Sequence, residues 1–164
     1  MASLSTEGGR PPGRTALSGR GPAKHETPGG GRPGLTVSEV AHLGKINLRG
    51  DAGMLPAIRK HTGCTAFPDN NRMMTVGDRQ LVWLGPDEFL LLCEAGSEPD
   101  LHSQLSLDLD GVHAAVTNVT DSLCALALGG SAVRQVLAKG CSLDLHPSKF
   151  ATGDCAQTLS LIHI

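Results

Sequence analysis

The fold is decided by residues 73–93, which read MMTVGDRQLVWLGPDEFLLLC. Two β-prone runs, Met73 to Val76 and residues 80–84, flank Gly77-Asp78-Arg79, and this arrangement predicts a β-hairpin. The apolar run from Glu88 to Cys93 follows closely and is typical of a buried strand. Three consecutive strands are therefore expected in this stretch.

Upstream, the pattern changes from strand to helix within a few residues. Residues 45–48 alternate polar and apolar side chains and predict a strand. Met54, Leu55 and Ile58 then recur at helical spacing, with Gly63 as a stop signal. Pro56 limits how early this helix can begin, because proline is tolerated only in the first turn.

Downstream, residues 97–100 (Ser-Glu-Pro-Asp) indicate a helix start with serine as the cap, and Leu101, Leu105 and Leu109 line one face. Residues 112–119 and 123–128 predict two further strands. Gly129-Gly130-Ser131 leads into a last helix, carrying Val133, Val136 and Leu137 and ending at Gly140. Because no repeating β-α-β rhythm is present, we predict an α+β fold with helices packed on one side of a mainly antiparallel sheet.

Charge, hydropathy and cysteine content exclude several classes of protein. The net charge of −2 argues against a nucleic-acid surface, which needs a basic excess to bind phosphates. No apolar run approaches the roughly 20 residues that cross a bilayer, and no secretory h-region is present. The five cysteines are odd in number, widely spaced and without a C-x-x-C pair, which favours reduced thiols and a cytoplasmic location.

Residues 1–34 differ in composition from the rest of the chain. They are rich in Gly, Pro and Arg and contain almost no bulky apolar residue, so they cannot bury enough surface to offset the entropy of ordering. We therefore expect a flexible arm, interpreted as a linker or a partner-binding segment. An RNA-binding arm is disfavoured because aromatic stacking residues are absent.

Four groups of residues invite a chemical role, and each has a plainer interpretation. Gly129-Gly130-Ser131 could hold a phosphate, although a turn followed by an N-cap fits better. Cys141, His146 and Cys155 lack a fourth metal ligand, and a Cys141–His146–Asp144 nucleophile would need contacts that sequence cannot establish. Adjacent carboxylates Asp87 and Glu88 would point to opposite faces of a strand, and Trp83 is interpreted as a core anchor. From the residues alone we predict no active site.

Two longer stretches carry a family resemblance. Residues 81–90, LVWLGPDEFL, resemble a motif of sarcosine oxidase gamma subunits. Residues 137–147, LAKGCSLDLHP, continue through Phe150 to Cys155-Ala156-Gln157-Thr158 and are similar to a second motif series of the same family. Weaker matches are residues 14–17 (Arg-Thr-Ala-Leu) and residues 47–50 (Asn-Leu-Arg-Gly).

The resemblance implies a fold like the T-protein of the glycine cleavage system, a ferredoxin-like elaborated α+β domain, spanning residues 35–158. It implies a non-catalytic gamma subunit working with alpha, beta and delta subunits, without nucleic acid or membrane as a partner. That complex converts sarcosine to glycine, releasing hydrogen peroxide and either formaldehyde or methylene-tetrahydrofolate. FAD, FMN, NAD and tetrahydrofolate would be bound by the other subunits, with no catalytic, cofactor or metal residue in this chain.

The matching residues are expected to be structural or interfacial. Gly85-Pro86 would bend the chain between two strands, Gly140 would end a helix in the left-handed conformation, and Asp144 would cap a turn. The full set comprises Trp83, Leu84, Gly85, Pro86, Asp87, Glu88, Gly140, Cys141, Asp144, Leu145, His146, Pro147, Cys155 and Gln157.

The sequence departs from the family pattern in two places. The Gly-rich region between Leu17 and Leu35 has no firm counterpart. Residues 159–164, LSLIHI, stand where family members continue with further strands and a helix, and a transposase-type sequencing adapter would encode them. We therefore expect a domain incomplete at its C-terminus. Two alternative functions stay open: a stand-alone folate-binding aminomethyltransferase-like protein, and an interaction module whose basic arm binds an acidic partner.

Overall fold

The computed structural model describes residues 15–18, 23–25 and 34–158, with residues 23–25 described at the level of the backbone. The elements in chain order are β1 (Ala23–His25), β2 (Leu35–Glu39), β3 (Gly44–Gly50), α1 (Leu55–Thr62), β4 (Met73–Val76), β5 (Arg79–Gly85), β6 (Glu88–Cys93), α2 (Glu98–Asp108), β7 (Ala114–Asn118), β8 (Leu126–Gly129) and α3 (Val133–Leu137). All strand pairs are antiparallel, which confirms the predicted combination of helices with antiparallel sheets.

The larger sheet has five strands in the order β4-β5-β6-β3-β7. The predicted hairpin and the strand after it are confirmed as β4, β5 and β6. Ile46 pairs with Leu91, which pairs with Leu81, and all three side chains are fully buried. Because cross-strand partners share a face and residues alternate along a strand, these residues define one apolar face.

Helix α1 has the start and stop that its sequence predicts. A 3-10 turn at Ala52–Met54 precedes it, with the Asp51 carboxylate accepting a hydrogen bond from the Gly53 amide (2.8 Å). Pro56 lies in the first turn, where its missing N–H costs nothing. Gly63 ends the helix with φ 79°, a left-handed conformation that suits glycine.

Helix α2 begins where the sequence predicts, but serine does not cap it. Ser97 occupies the N-cap position in a helical conformation, and its hydroxyl donates to the Glu94 carbonyl oxygen (2.7 Å) instead of accepting from the helix. The prediction of a serine side-chain cap is therefore wrong, because an effective cap needs extended backbone at that residue. Leu101, Leu105 and Leu109 are buried as expected.

A second sheet, which the sequence analysis does not predict, contains three strands in the order β1-β2-β8. β2 joins β8 with Val37 opposite Leu128 and Glu39 opposite Leu126. The strand expected at residues 123–128 begins only at Leu126, and the one expected at residues 112–119 is limited to Ala114–Asn118. We refer to β1, β2, β8 and α3 as the small sheet unit.

The predicted helix after β8 is shorter than expected. α3 spans Val133–Leu137, begins after Ala132 without a side-chain cap, and is followed by Ala138 in a helical conformation. Gly140 is not among the glycines with positive φ in the described residues, so the prediction of a left-handed stop at Gly140 is wrong. The Ala132 amide donates to the Gly34 carbonyl oxygen (2.7 Å), which fixes the helix start against the beginning of β2.

Among the residues whose side chains the structure describes, the buried apolar core lies between residues 46 and 109. It consists of Ile46, Leu48, Met54, Ala57, Ile58, Cys64, Leu81, Phe89, Leu91, Cys93, Leu101, Leu105 and Leu109. Phe67 stacks on Phe89 with ring centroids 4.5 Å apart. Helices α1 and α2 contribute to this one core, so the expectation of helices packed against a sheet is confirmed for the five-stranded sheet.

Two sequence predictions, the N-terminal arm and the C-terminal hexapeptide, fall wholly or partly outside the described residues. Residues 1–14, 19–22 and 26–33 belong to the predicted arm, and residues 159–164 form the C-terminal hexapeptide. Two short pieces of the arm are described, namely the turn at residues 15–18 and strand β1. No described helix is long and apolar enough to span a membrane.

Candidate functional site

The first family motif forms the turn between β5 and β6. Trp83 pairs with Phe89 and Gly85 with Glu88, with a register irregularity between Trp83 and Gly85, so the chain bends here as predicted. The predicted reason for glycine is wrong, however. Gly85 is not in the left-handed region, and a Cβ there would lie 3.7 Å from the nearest atom, the Cβ of Glu88. Proline in an exposed turn is therefore the stronger determinant of the bend.

The two carboxylates of this motif approach the same cation. Asp87 lies in the turn and not in the strand, so its side chain does not oppose that of Glu88 as the sequence predicts. Arg49 Nε lies 3.7 Å from Asp87 Oδ2, and Arg49 Nη2 lies 3.9 Å from Glu88 Oε2. Glu88 also accepts a hydrogen bond from Asn47 Nδ2 (2.8 Å). The Gly50 amide donates to the Asp87 carbonyl oxygen (2.9 Å), so residues 47–50 and the turn form one corner.

The end of the second motif docks on the first. The Cys155 amide donates to the Asn71 carbonyl oxygen (2.8 Å), and the Cys155 thiol donates to the Trp83 carbonyl oxygen (3.3 Å). Burial raises the pKa of the Cys155 thiol. A half-buried thiol with a raised pKa that donates to a carbonyl oxygen fits a packing contact better than a nucleophile.

An ion pair reinforces this junction. Arg72 pairs with Asp154, and the Asp154 carboxylate also accepts a hydrogen bond from the Ala151 amide (2.6 Å). The Ala151 hydrogen bond, followed by Arg72, lowers the pKa of Asp154. The Met73 amide donates to the Gly153 carbonyl oxygen (2.9 Å), so the segment lies along the start of β4.

The middle of the second motif is a series of turns. The Asp144 carboxylate accepts a hydrogen bond from the His146 amide (3.0 Å), which confirms that Asp144 caps a turn. His146 Nδ1 lies 2.8 Å from Ser148 Oγ. Arg134 of α3 donates to the Leu145 carbonyl oxygen and, at 3.5 Å, to that of Phe150. The motif thereby connects α3 to β4.

The remaining motif residues differ in their exposure to solvent. Leu84, Gly140, Cys141 and Leu145 are half-buried, whereas Pro86, Pro147 and Gln157 are exposed. Trp83 is half-buried and packs against the core, as an anchor would. The motif residues are thus brought together as two turns joined through Trp83 and Cys155.

The proposed chemical groups do not assemble in the described residues. Asp144 contacts the His146 backbone and not its ring, and the ring faces Ser148. No group of three or more His, Cys, Asp or Glu side chains in this part of the chain could hold a metal ion. Around Gly129-Gly130-Ser131, a Cβ on Gly129 would lie 2.9 Å from Thr36 Oγ1, so that glycine allows close packing of β8 on β2. All five cysteines are free thiols.

Sequence reasoning missed an exposed apolar surface on the small sheet unit. Leu126 and Leu128 are 49% and 40% exposed. They alternate along β8 and therefore share a face, and we call this pair the β8 patch. Val40 and Leu123 lie near it at 40% and 48% exposure, and β8 is an edge strand among the described residues. One feature of the sequence could have indicated this surface: the predicted strand at residues 123–128 is rich in leucine, but no apolar segment is an obvious partner for it.

Comparison with known proteins places these features in a family. The model of the sarcosine oxidase, gamma subunit family matches residues 49–161. Sarcosine oxidase subunit gamma of Corynebacterium sp. (strain U-96) is 32% identical over 141 residues, which is 82% of this chain and 65% of the relative. The subunit gamma of strain P-1 is 31% identical over 153 residues, or 88% of this chain and 73% of the relative.

A chain of a solved structure is similar to this chain in both fold and sequence. One chain of heterotetrameric sarcosine oxidase from Corynebacterium sp. U-96, in complex with pyrrole 2-carboxylate, aligns with a TM-score of 0.69 at 31% identity. The match covers 77% of this chain and 65% of that chain. This chain thus spans 65% of the length of both the strain U-96 relative and the solved chain. On these grounds the chain belongs to the sarcosine oxidase gamma subunit family.

Proposed function

We propose that this chain serves as the gamma subunit of a heterotetrameric sarcosine oxidase and supports assembly without contributing a catalytic group. The observation that carries the proposal is the contrast between two surfaces. The polar groups of the family motifs bond to one another or to the backbone, as Asp144, Cys155 and Asp154 do. The small sheet unit, by contrast, presents Leu126 and Leu128 to solvent, which is typical of a surface that a partner covers.

The partners in this proposal are the alpha, beta and delta subunits. The complex would oxidise sarcosine to glycine, with hydrogen peroxide and either formaldehyde or methylene-tetrahydrofolate as products. FAD, FMN, NAD and tetrahydrofolate would be bound by those other subunits. The name and the heterotetrameric assembly of the solved relative support this assignment.

The proposal also includes a T-protein-like fold and a cytoplasmic location. The antiparallel sheets with α1 and α2 on one face support the fold. Five free cysteines, of which Cys64 and Cys93 are buried, support a reducing compartment. The alternative of a stand-alone folate-binding protein is not favoured, because the relatives are named as sarcosine oxidase gamma subunits.

The test is co-expression of this chain with candidate alpha, beta and delta subunits, followed by affinity purification through a tag on the alpha subunit. We expect a yellow complex that produces peroxide when sarcosine is added. Omission of this chain should lower the yield of intact complex while leaving turnover per assembled complex unchanged. Assembly and full yield of the other subunits in its absence would contradict the proposal.

A further inference from the structure

A single carboxylate holds a short piece of the N-terminal region against the small sheet unit. Glu39, the last residue of β2, accepts hydrogen bonds from two consecutive backbone amides. The Ala16 amide donates to Oε1 (3.1 Å), and the Leu17 amide donates to Oε2 (2.9 Å). Two adjacent N–H groups aimed at one carboxylate form a small anion-binding concavity, so the contact is directional and not a chance approach.

The turn that presents these amides is closed by its own side chains. Ser18 Oγ accepts a hydrogen bond from the Thr15 amide (2.6 Å) and lies 2.9 Å from Thr15 Oγ1. The Ser18 amide in turn donates to the Thr15 carbonyl oxygen (3.1 Å). Residues 15–18 are therefore pre-shaped for the carboxylate, which lowers the entropy cost of docking.

We infer that residues 15–18 form a strap, anchored by Glu39, which keeps strand β1 paired at the edge of the small sheet unit. Only four residues separate Ser18 from Ala23, where β1 begins, so the position of the strap limits how far β1 can move. β1 itself pairs over three positions, from Ala23 opposite Val37 to His25 opposite Leu35. A strand that short gains little stability from its own ladder and depends on additional contacts.

Other polar and charged groups surround Glu39 where it contacts the strap. Cys124 Sγ donates to Glu39 Oε1 at 3.5 Å. His42, Lys45 and Asp121 line the same groove of about 260 Å³, which the strap partly closes. The hydrogen bond from the Thr15 side chain is the largest cause that lowers the pKa of Glu39, and the Leu17 and Ala16 amides act in the same direction. Protonation of Glu39 would remove an ionised acceptor from both amides.

The test uses the full chain labelled with nitrogen-15, with amide exchange measured residue by residue in solution. We expect Glu39→Ala to accelerate exchange of the Ala16 and Leu17 amides at least fivefold, and to accelerate exchange within β1 as well. Ser38→Ala is the matched control, since Ser38 is the exposed neighbour on the same strand. Exchange at Leu48 and Leu91 in the core serves as the internal check that the variants are folded.

A second measurement tests whether the ionised Glu39 carboxylate is the group that accepts these hydrogen bonds. The amide shifts of Ala16 and Leu17 should titrate with an acidic midpoint below about 4.3, the ordinary pKa of a glutamate. This titration should vanish in Glu39→Gln. Persistence of the titration in that variant would show that a group other than Glu39 causes it and would overturn the strap. The inference would also fail if β1 exchange stayed unchanged while the Ala16 and Leu17 amides lost protection.

Discussion

At the scale of single residues, Gly63 is the position where glycine is required most clearly. Its φ is 79°, its amide closes α1 on the Arg59 carbonyl oxygen (2.9 Å), and an added Cβ would lie 3.2 Å from Val76 Cγ1. We predict that Gly63→Ala lowers the free energy of unfolding by about 1–2 kcal/mol, because the left-handed conformation is strained for any residue with a Cβ. Urea denaturation of the purified chain measures this change.

Gly85 provides the matched control for that prediction. It lies outside the left-handed region, and the nearest atom to an added Cβ is 3.7 Å away. Gly85→Ala should therefore leave the unfolding midpoint unchanged or raise it slightly, because alanine reduces the entropy of the unfolded chain. If Gly63→Ala and Gly85→Ala lowered the free energy of unfolding equally, the left-handed backbone conformation of Gly63 would not be the cause of its sensitivity.

Asp108 makes a pH-dependent contribution to stability. Its Oδ2 atom lies 2.6 Å from both Lys60 Nζ and His61 Nε2, and the hydrogen bonds from Lys60 and then His61 lower the pKa of Asp108. A carboxylate with a lowered folded-state pKa stabilises the fold above its unfolded pKa of about 3.9, and this contribution is lost as the pH falls through the folded-state value.

Asp108→Asn should therefore be less stable than the original chain near neutral pH, and the difference should shrink in acid. Asp110→Asn is the control, because Asp110 is an exposed acid just beyond the end of α2 at Asp108. The test is to measure the urea unfolding midpoints of the original chain and the two variants between pH 3 and pH 7, in steps of roughly one pH unit. The loss of stability in each variant is then compared across this pH range. A difference that is independent of pH would contradict the role of the ion pair.

At the scale of elements, α2 has one buried face and one free face. Leu105 is fully buried against the core, whereas Leu107, two residues later, is 77% exposed. We predict that Leu105→Ala destabilises the chain by about 2–5 kcal/mol through the cavity it leaves. Leu107→Ala should change stability by less than about 0.5 kcal/mol. Thermal or urea unfolding of both variants tests whether α2 packs with this face inward.

The elements that sequence predicts well are those whose pattern is local. β4, β5 and β6 follow from alternation and turn residues, and α1 follows from Pro56, its apolar spacing and Gly63. In each case the interactions that determine the element join residues a few positions apart, so the local sequence pattern is enough to predict it. The Asp144 turn is predicted for the same reason, since its carboxylate bonds an amide two residues away.

The elements and contacts that sequence does not predict depend on distant partners. β2 pairs with β8, which is about 90 residues away along the chain, and no local pattern specifies that pairing. Asp87 and Glu88 meet at Arg49 because a turn, and not a strand, contains Asp87. The junction of Cys155 with Trp83 likewise spans two motifs whose proximity is a property of the folded chain.

At the scale of the whole molecule, stability and exposed apolar surface lie in different places. The buried core belongs to the five-stranded sheet with α1 and α2, and among the described side chains none of its members comes from β2, β8 or α3. A sheet of three strands needs a packed hydrophobic face or a helix against it to be stable. The β8 patch is thus the part of this chain where the proposed assembly function would be most sensitive to mutation.

We predict that Leu126→Asp lowers recovery of the co-expressed complex roughly tenfold or more, because a buried interface cannot solvate the added charge. The same substitution should leave the stability of the isolated chain nearly unchanged, since Leu126 is already 49% exposed. Affinity purification with the candidate alpha, beta and delta subunits measures recovery, and urea unfolding measures stability. Leu107→Asp adds the same charge to the exposed face of α2 and is the matched control.

These variants separate the docking surface from the function itself. If Leu126→Asp assembles as fully as the original chain, partners dock elsewhere and the assembly function stands. If the original chain itself fails to assemble, the gamma-subunit role is contradicted and the variant is uninformative about surfaces. Loss of assembly in Leu126→Asp together with retention in Leu107→Asp would locate the contact on the small sheet unit, because the added charge is identical and only its position differs.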